Sequence, residues 1–374
     1  IALSSDGTSL LLDGTAIGGG GGDPDLYRDN ASSATTPSAT GTNAVAIGNN
    51  SVSSGTDSMA IGMSTVAAST RAVVLGGSSQ AYGINSVTLG FAATVQSGGT
   101  DSSALGTRSQ IGSNATGATA IAKSYASGAD SFAAAITNNG SSYGATGANG
   151  VAIGQLAKAG SAGQSVAIGG SCIASGTSSI AISGYFASAT GSGSLAIGQY
   201  AAASGINSIS IGYRSKANTQ GKIALSAGAT SGIGSGAGHQ QRGIYILKGA
   251  TTDATQKVLT GLGNTADASN SWVLENNASH AFSGTVIARQ DGTDGDDYAA
   301  WEVKGAVMRA DTAATTVVGV AIVNSLYHTA GAAAWVVDIT ANTTLGSAEV
   351  KVTGAAATNV DWVTTIDTSE VVNA

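Results

Sequence analysis

Aliphatic residues recur along residues 41–236 as pairs two positions apart: Val45 and Ile47, Met59 and Ile61, Val73 and Leu75, Val87 and Leu89, Val151 and Ile153, Ile209 and Ile211. Alternation at period two is the signature of a strand with two unlike faces. The second member of each pair forms a column of anchors at Ile47, Ile61, Leu75, Leu89, Leu105, Ile121, Ile136, Ile153, Ile168, Ile182, Ile197, Ile211 and Leu225, spaced 14 to 17 residues apart. A period that regular marks one supersecondary unit stacked on itself. On this reading the aliphatic pair faces inward, with Ile47, Ile61, Leu75, Leu89, Ile153, Ile168, Ile197 and Ile211 as the repeat core. The residue between the pair (Ala46, Ala60, Thr88, Ser210) faces the other way.

A glycine usually follows the anchor, as at Gly48, Gly62, Gly76, Gly90, Gly154, Gly198 and Gly212, and predicts a positive φ or a close backbone neighbour. A weaker second half ends each unit: Val52-Ser53-Ser54-Gly55, Ile173-Ala174-Ser175-Gly176, Ala203-Ser204-Gly205. Each unit is therefore strand, turn, shorter strand, turn, and makes one coil of a parallel β-solenoid. Such a coil encloses two or three side chains while ordering a whole unit of backbone, so a lone solenoid is marginal. Packing chains side by side buries a second face, and three around an axis is an economical closed solution.

Composition fits this picture. Gly is 55 of 374 residues, charged residues are 10% and aromatics 5%, yet mean hydropathy is +0.17, so the chain is not a disordered polar tract. Neither of the two prolines, Pro24 and Pro37, lies beyond residue 37, which suits uninterrupted ladder pairing. Residues 1–236 are electrically neutral, so the net charge of −7 arises in residues 237–374, where all four tryptophans also lie. That shift divides the chain into an extended lead-in (1–40), the repeats (41–236) and a C-terminal module (237–374). An acidic module argues against a nucleic-acid partner. No apolar run approaches the ~18–20 residues of a membrane span. The chain opens on Ile1 without a signal-peptide pattern, which reads as a processed chain or one lacking its beginning. In the lead-in, Leu10-Leu11-Leu12 reads as one short strand. Gly18 to Gly22 reads as a flexible joint, with no Gly-Lys-Ser/Thr to make it a phosphate loop.

The repeat phrase, seen as Asn43-Ala44-Val45-Ala46-Ile47-Gly48 and Asn207-Ser208-Ile209-Ser210-Ile211-Gly212, resembles the head repeat of trimeric autotransporter adhesins of the Yersinia adhesin type. The resemblance implies a left-handed parallel β-roll, three chains to a head, displayed at a surface. The copies at Ile121, Ile136 and Ile182 lack the glycine and should bulge or carry loops. After His239 come six or seven β segments separated by Gly, Asp and Asn turns, which suggest an antiparallel β-sandwich. The succession Thr-Thr-Asp-Ala-Thr (251–255), Ser-Gly-Thr-Val-Ile-Ala-Arg (283–289), Ala-Trp-Glu-Val-Lys-Gly-Ala-Val (300–307) and Thr-Gly-Ala-Ala-Ala-Thr-Asn-Val-Asp-Trp-Val (353–363) is similar to the C-terminal module of bacteriophage tail-fibre proteins.

Candidate chemistry is sparse. Asp291, Asp294, Asp296 and Asp297 could wrap a hard cation such as calcium, or could form a solvated hairpin tip. No other cofactor is indicated. Trp272 and Trp362 are candidate receptor contacts, by stacking on sugar rings, whereas Trp301 and Trp335 sit in strand patterns and read as core. His239, His280 and His328 are dispersed. Asp296 with Glu302 is the one local acid pair, with nothing around it to suggest a hydrolytic cleft. Cys172 reads as a small buried hydrophobe.

The resemblances together imply a non-enzymatic, homotrimeric tail fibre on the surface of a bacterial virus. It would attach to other virion proteins through its N-terminal end, and its distal module would touch a bacterial cell-surface glycan or protein or cap the trimer. The alternative is the head of a bacterial trimeric adhesin, although neither a heptad-repeat stalk nor an outer-membrane barrel pattern follows residue 236. A solenoid that binds ice or a crystal would need one side chain in a regular row, and the residues two past the anchor (Asn49, Met63, Gly77, Phe91, Thr107, Lys123) are irregular.

Overall fold

The computed structural model describes residues 2–3, 10–12, 15–17, 35–134, 142–160, 163–228, 238–292 and 296–373. The chain divides into two compact units, Ile1–Ser141 and Ser142–Ala374. It is all-β: among the described residues the only helical element is one 3-10 turn at Ala313–Thr315.

In the first unit, Ala2–Leu3, Leu10–Leu12 and Thr15–Ile17 pair as a small antiparallel sheet, so Leu10–Leu12 is a strand with neighbours on both sides. The glycine run after it lies outside the described residues. From Ser38 onward the chain winds as a parallel β-solenoid. Three-residue strands stack in register, Val45–Ile47 on Met59–Ile61 on Val73–Leu75 and onward, and two-residue strands such as Val52–Ser53 and Val66–Ala67 stack on the opposite side of each coil. The second unit continues in the same manner from Gly144–Ala145 to Ile223–Ser226. One anchor is displaced from its expected position. Ile121 pairs with Ala134 in the strand Phe132–Ala134, and Ile136 lies outside the described residues.

The inward reading of the aliphatic pairs is overturned. From the second coil onward the residue between the aliphatic pair is the buried one: Ala60, Val74, Thr88, Ala104, Ala120, Ala152, Ala167, Ala196 and Ser210 have no accessible surface. The anchors project outward. Leu89, Ile197 and Ile211 are 36–47% exposed, and Ile47, Ile61, Leu75, Ile153 and Ile168 are half-buried. The reason is volume. Each coil is closed by two facing strands and two tight turns, and the space between them is filled mainly by alanines from both sides (Ala67, Ala81, Ala174 and Ala203 from the shorter strands) and by turn serines, with Val74, Val95 and Ile111 as larger exceptions. Ser58, Ser86, Ser179 and Ser208 each donate their hydroxyl to the carbonyl three residues back, at 2.6, 2.6, 2.7 and 2.8 Å. A large aliphatic in every coil would overfill such a space.

Two turn positions in each coil are left-handed. One carries Asn43, Asp57, Asn85, Asp101 and Asn207, the polar types that tolerate this conformation, and their side chains join successive coils: Asn43 donates to Asp57 at 2.9 Å and Asn85 to Asp101 at 2.7 Å. The glycine after the anchor has a positive φ, +130° at Gly62, and a Cβ there would overlap the Gly76 carbonyl oxygen of the next coil. Where the glycine is missing, the backbone adapts. Ala122 and Lys123 are both left-handed, and at Ile182 the ladder slips, so that Gly170 pairs with Tyr185.

The last coil leads into the C-terminal module by backbone pairing. Ile223–Ser226 runs antiparallel to β1 (Gln240–Thr251), with Ile223 opposite Ile244. The other long strands are β2 (Ala278–Gln290), β3 (Tyr298–Arg309), β4 (Val317–His328), β5 (Val336–Asn342), β6 (Ser347–Thr353) and β7 (Val360–Val372). A five-stranded antiparallel sheet runs in the order β1-β7-β2-β3-β4. A smaller sheet places β6 between β5 and the short strands Lys257–Val258 and Trp272–Val273. Both sheets contribute to one core, to which Trp272, Phe282, Trp301, Trp335, Val350 and Trp362 belong.

We expect Gly62→Ala to cost at least about 1–3 kcal/mol through the left-handed backbone alone, more with the carbonyl overlap. Gly184→Ala, where an added Cβ meets nothing within 4 Å, should stay within about 0.5 kcal/mol of wild type. Thermal melts of the two variants check this. Equal melting temperatures would contradict the close stacking of coils at Gly62.

Candidate functional site

Because the coil interior takes mostly small residues, most of the large ones form an outer surface. In each unit the three-residue strands present two columns of aliphatic side chains along one face: Val45/Ile47 to Thr119/Ile121 in the first, Val151/Ile153 to Ile223/Leu225 in the second. The opposite face is mixed, with Gln80, Thr94, Gln110, Lys158, Ser188 and Lys216 pointing out of the shorter strands. In the second unit the Ile223–Ile244 pairing joins this face to the outer surface of the five-stranded sheet, which is mixed: Ile246, Ile287, Val363 and Val371 are 43–52% exposed among polar and charged residues that include the Arg242–Asp367 ion pair beside Leu225. Edge strand β4 adds Val320, Ile322, Leu326 and Tyr327, all exposed. Exposed aliphatic columns of this length mark an interaction surface, and an open apolar edge strand is a pairing site.

On three consecutive coils of the second unit, aromatic side chains gather at the turn beside this face. Phe186 stacks on Tyr200 with ring centroids 5.5 Å apart, and Tyr185 meets Phe186 edge-on at 4.1 Å. Tyr200 contacts Tyr213 at 6.2 Å, and the Arg214 guanidinium lies 5.4 and 5.2 Å from the Tyr200 and Tyr213 centroids. Sequence reasoning missed this cluster because its four aromatics are spread over three repeats. Aligning the residues after the anchors (Tyr185-Phe186, Gln199-Tyr200, Tyr213-Arg214) is the signal that reveals it.

Where the last coil meets the module there is a buried ionic network, also missed from sequence. Lys222 Nζ, just before the last anchor strand, lies 2.8 Å from Glu370 Oε2 on β7, and both side chains are almost fully buried. Gln241 donates to the same oxygen at 2.6 Å and clasps the Lys216 backbone through both ends of its amide. Tyr245 and Thr368 hydroxyls donate to Glu370 Oε1 at 3.0 and 2.9 Å. Trp272 Nε1 donates to His280 Nδ1 at 3.2 Å, so the ring nitrogen nearest Glu370 is an acceptor. Burial holds His280 down at about 4 against the pull of Glu370. At neutral pH its 4.0 Å approach to Glu370 is therefore no ion pair, and Lys222 is the counter-charge. Burial alone would raise the Glu370 carboxyl, but Lys222 and the donated hydrogen bonds outweigh it and hold it at about 2. Burial, then the neighbouring Glu370 charge, pushes the Tyr245 phenol well above its usual value. With every polar atom of the carboxylate engaged, this network locks module to coil.

The candidates named from sequence fare differently. Trp272 and Trp362 are 0% and 2% exposed, which removes them as receptor contacts. Both occupy inward positions of alternating strands, and their indole N–H groups are satisfied by His280 and Thr251. Trp301 and Trp335 are core, as their strand patterns implied. Asp291, Asp296 and Asp297 flank the turn between β2 and β3, and Asp294 lies outside the described residues. Asp296 faces Arg289 at 3.5 Å, and Asp297 accepts from the Gly331 N–H at 3.2 Å. Among the described residues no three His, Cys, Asp or Glu side chains converge as metal ligands. Glu302 lies 3.5 Å from Lys304. Cys172 is fully buried. His239 Nδ1 is buried without a partner, and His328 is exposed.

The YadA head domain repeat matches this chain, in two copies, over residues 39–65, 145–171, 174–201 and 203–221. The chain thus carries adhesin-head-type repeats, and the matched spans coincide with coils of the solenoid. No curated protein matches the sequence. Among solved structures, the crystal structure of the Acinetobacter baumannii phage AM24 tailspike protein is similar over 87% of this chain and 58% of that chain, at 11% identity and a TM-score of 0.20. So loose a superposition leaves the fold to rest on the strand pairings above. No helix among the described residues is long and apolar enough to cross a membrane.

Glu370→Gln is expected to destabilise the second unit by about 3–5 kcal/mol, because it leaves the Lys222 charge buried and unpaired. The network should also weaken with acid. Both His280 and Glu370 bind protons more readily in the unfolded chain, so stability falls as pH drops from about 6.5 to 4 for His280 and from about 4.5 to 2 for Glu370. Melting temperatures of wild type and Glu370→Gln between pH 7.5 and 3 check both points. A wild-type curve flat below pH 6.5 would contradict the buried neutral histidine.

Proposed function

We propose that this chain is a homotrimeric, non-enzymatic attachment fibre of a bacterial virus, displayed on the virion and held to it by the N-terminal end. The observation that carries the reading is the pair of aliphatic columns along one face of the coils, which in the second unit run from Val151/Ile153 to Ile223/Leu225. A face of that length and chemistry asks for a copy of itself, and closed rotational symmetry buries it identically in every subunit. The likeness of the repeats to trimeric adhesin heads supports three as the number. Three copies of each binding site, multiplied over several fibres, give avidity to a weak individual contact with a glycan or protein of the bacterial surface.

A second reading, the head of a bacterial trimeric adhesin, is favoured by the repeat match itself. Against it stands the module that follows. Its backbone pairs with the last coil and its long antiparallel strands form a sandwich, where an adhesin head would lead into a helical stalk. Immunogold labelling separates the two readings: the viral fibre predicts label on purified virions, the adhesin predicts label on the bacterial envelope.

Mass photometry should give three times 36.0 kDa. Placing charges in the aliphatic columns, Ile197→Asp with Ile211→Asp, should shift the distribution toward single chains. A stable wild-type monomer would sink the trimeric fibre.

A further inference from the structure

We propose that the aromatic cluster on the coils of Tyr185, Tyr200 and Tyr213 is a binding site for an acidic polysaccharide. The inference rests on the attachment reading and deepens it by naming a place and a ligand chemistry. The backbone N–H groups of Phe186, Tyr200 and Arg214 donate to the carbonyls of Gly170, Tyr185 and Gln199, each in the preceding coil. The side chains therefore stand in two columns, Tyr185-Gln199-Tyr213 and Phe186-Tyr200-Arg214, with successive coils ~4.8 Å apart. Tyr185, Phe186 and Tyr200 are 36–46% exposed although they pack on one another. The rings are thus ordered by their own contacts and still offer surface to a partner.

The backbone at this place is unfavourable for what it carries. The turn imposes a left-handed conformation in coil after coil, met by Asn50, Ser64, Ser78 and Ser171 but also by Ala92, Arg108 and Leu156, and Phe186 and Tyr200 are the aromatic residues that adopt it, at φ +53° and +60°. Bulky residues in that region are uncommon, and such strain collects at binding sites. The ladder slips at the first ring, so that Gly170 pairs with Tyr185, which is exposed.

Charge selects among ligands. Between Asp130 and Asp253 the chain has no Asp or Glu, in a protein of net charge −7. Within that stretch Lys216, Lys222 and Arg242 are paired with acids of later segments, while Arg214 is held over two rings. Aromatic faces take the apolar C–H faces of pyranose rings, Gln199 and the tyrosine hydroxyls suit sugar hydroxyls, and a guanidinium favours a carboxylate or phosphate substituent.

The test uses the full chain in its native assembly. Acidic and neutral bacterial capsular and lipopolysaccharide O-chain polysaccharides are immobilised on one array, with polygalacturonate and dextran as references, and adsorption to whole bacteria is measured in parallel. Variants are Phe186→Asn, Tyr200→Asn and Arg214→Ser, since Asn and Ser are found at this turn in other coils. We expect wild type to bind acidic polysaccharides. The Asn variants should lose at least tenfold in affinity with melting temperature unchanged or raised, and Arg214→Ser should lose the preference for acidic over neutral chains. Wild type that adsorbs to bacteria but binds no acidic polysaccharide, or variants that bind as wild type, would overturn the site and leave the attachment reading standing. Variants whose assembly mass falls would make the cluster a subunit contact and overturn the site. Polysaccharide binding without adsorption to any bacterium would uphold the site and count against the attachment reading.

Discussion

The structure depends on how little space one coil encloses. Two facing strands and two tight turns leave room for alanine and serine, and the serine hydroxyls bond back into their own turns. Small side chains contribute little hydrophobic stabilisation, so the coil cannot rely on its interior as a globular core does. What holds it is register. Strand stacks on strand, Asn and Asp side chains bridge successive turns, and glycines bring the backbones of neighbouring coils into close approach. Displaced from the interior, most of the larger aliphatic residues build an outer face along the coils of each unit.

The C-terminal module joins the last coil through strand pairing, with Ile223 opposite Ile244, so backbone hydrogen bonds fix the junction. The Lys222–Glu370 pair then sets the register of that junction. A buried ion pair contributes less to net stability than a hydrophobic substitute could, but a displaced junction would leave both charges uncompensated, so the pair disfavours alternatives strongly.

Much of this was legible in residues alone, and the failures have physical causes. The glycine column, the stacked coils, the sandwich and the core position of Trp301 and Trp335 follow from period and alternation. Trp272 and Trp362 were misplaced because composition attracts attention to rare residues without saying which way a strand turns them. The aromatic cluster and the Glu370 network escaped notice because their members are scattered, up to 148 residues apart for Lys222 and Glu370. A polar residue at an inward position was the available hint for Glu370, which follows Trp362, Thr364, Ile366 and Thr368 on the buried face of β7.

By itself the sequence determined that the chain is a stack of short coils followed by an antiparallel module, because a period of 14 to 17 residues with strand alternation has few other solutions. It also held the clue to which face lies inside. The column of Ala60, Val74, Thr88, Ala104 and Ala120 never takes a residue larger than valine, while its neighbours vary among Val, Met, Ser, Thr, Ile and Leu. Hydrophobicity favoured the wrong column. Only the tertiary structure decided the matter, because alternation separates two faces without ranking them, and the ranking is set by the volume that closure of the coil leaves between its strands.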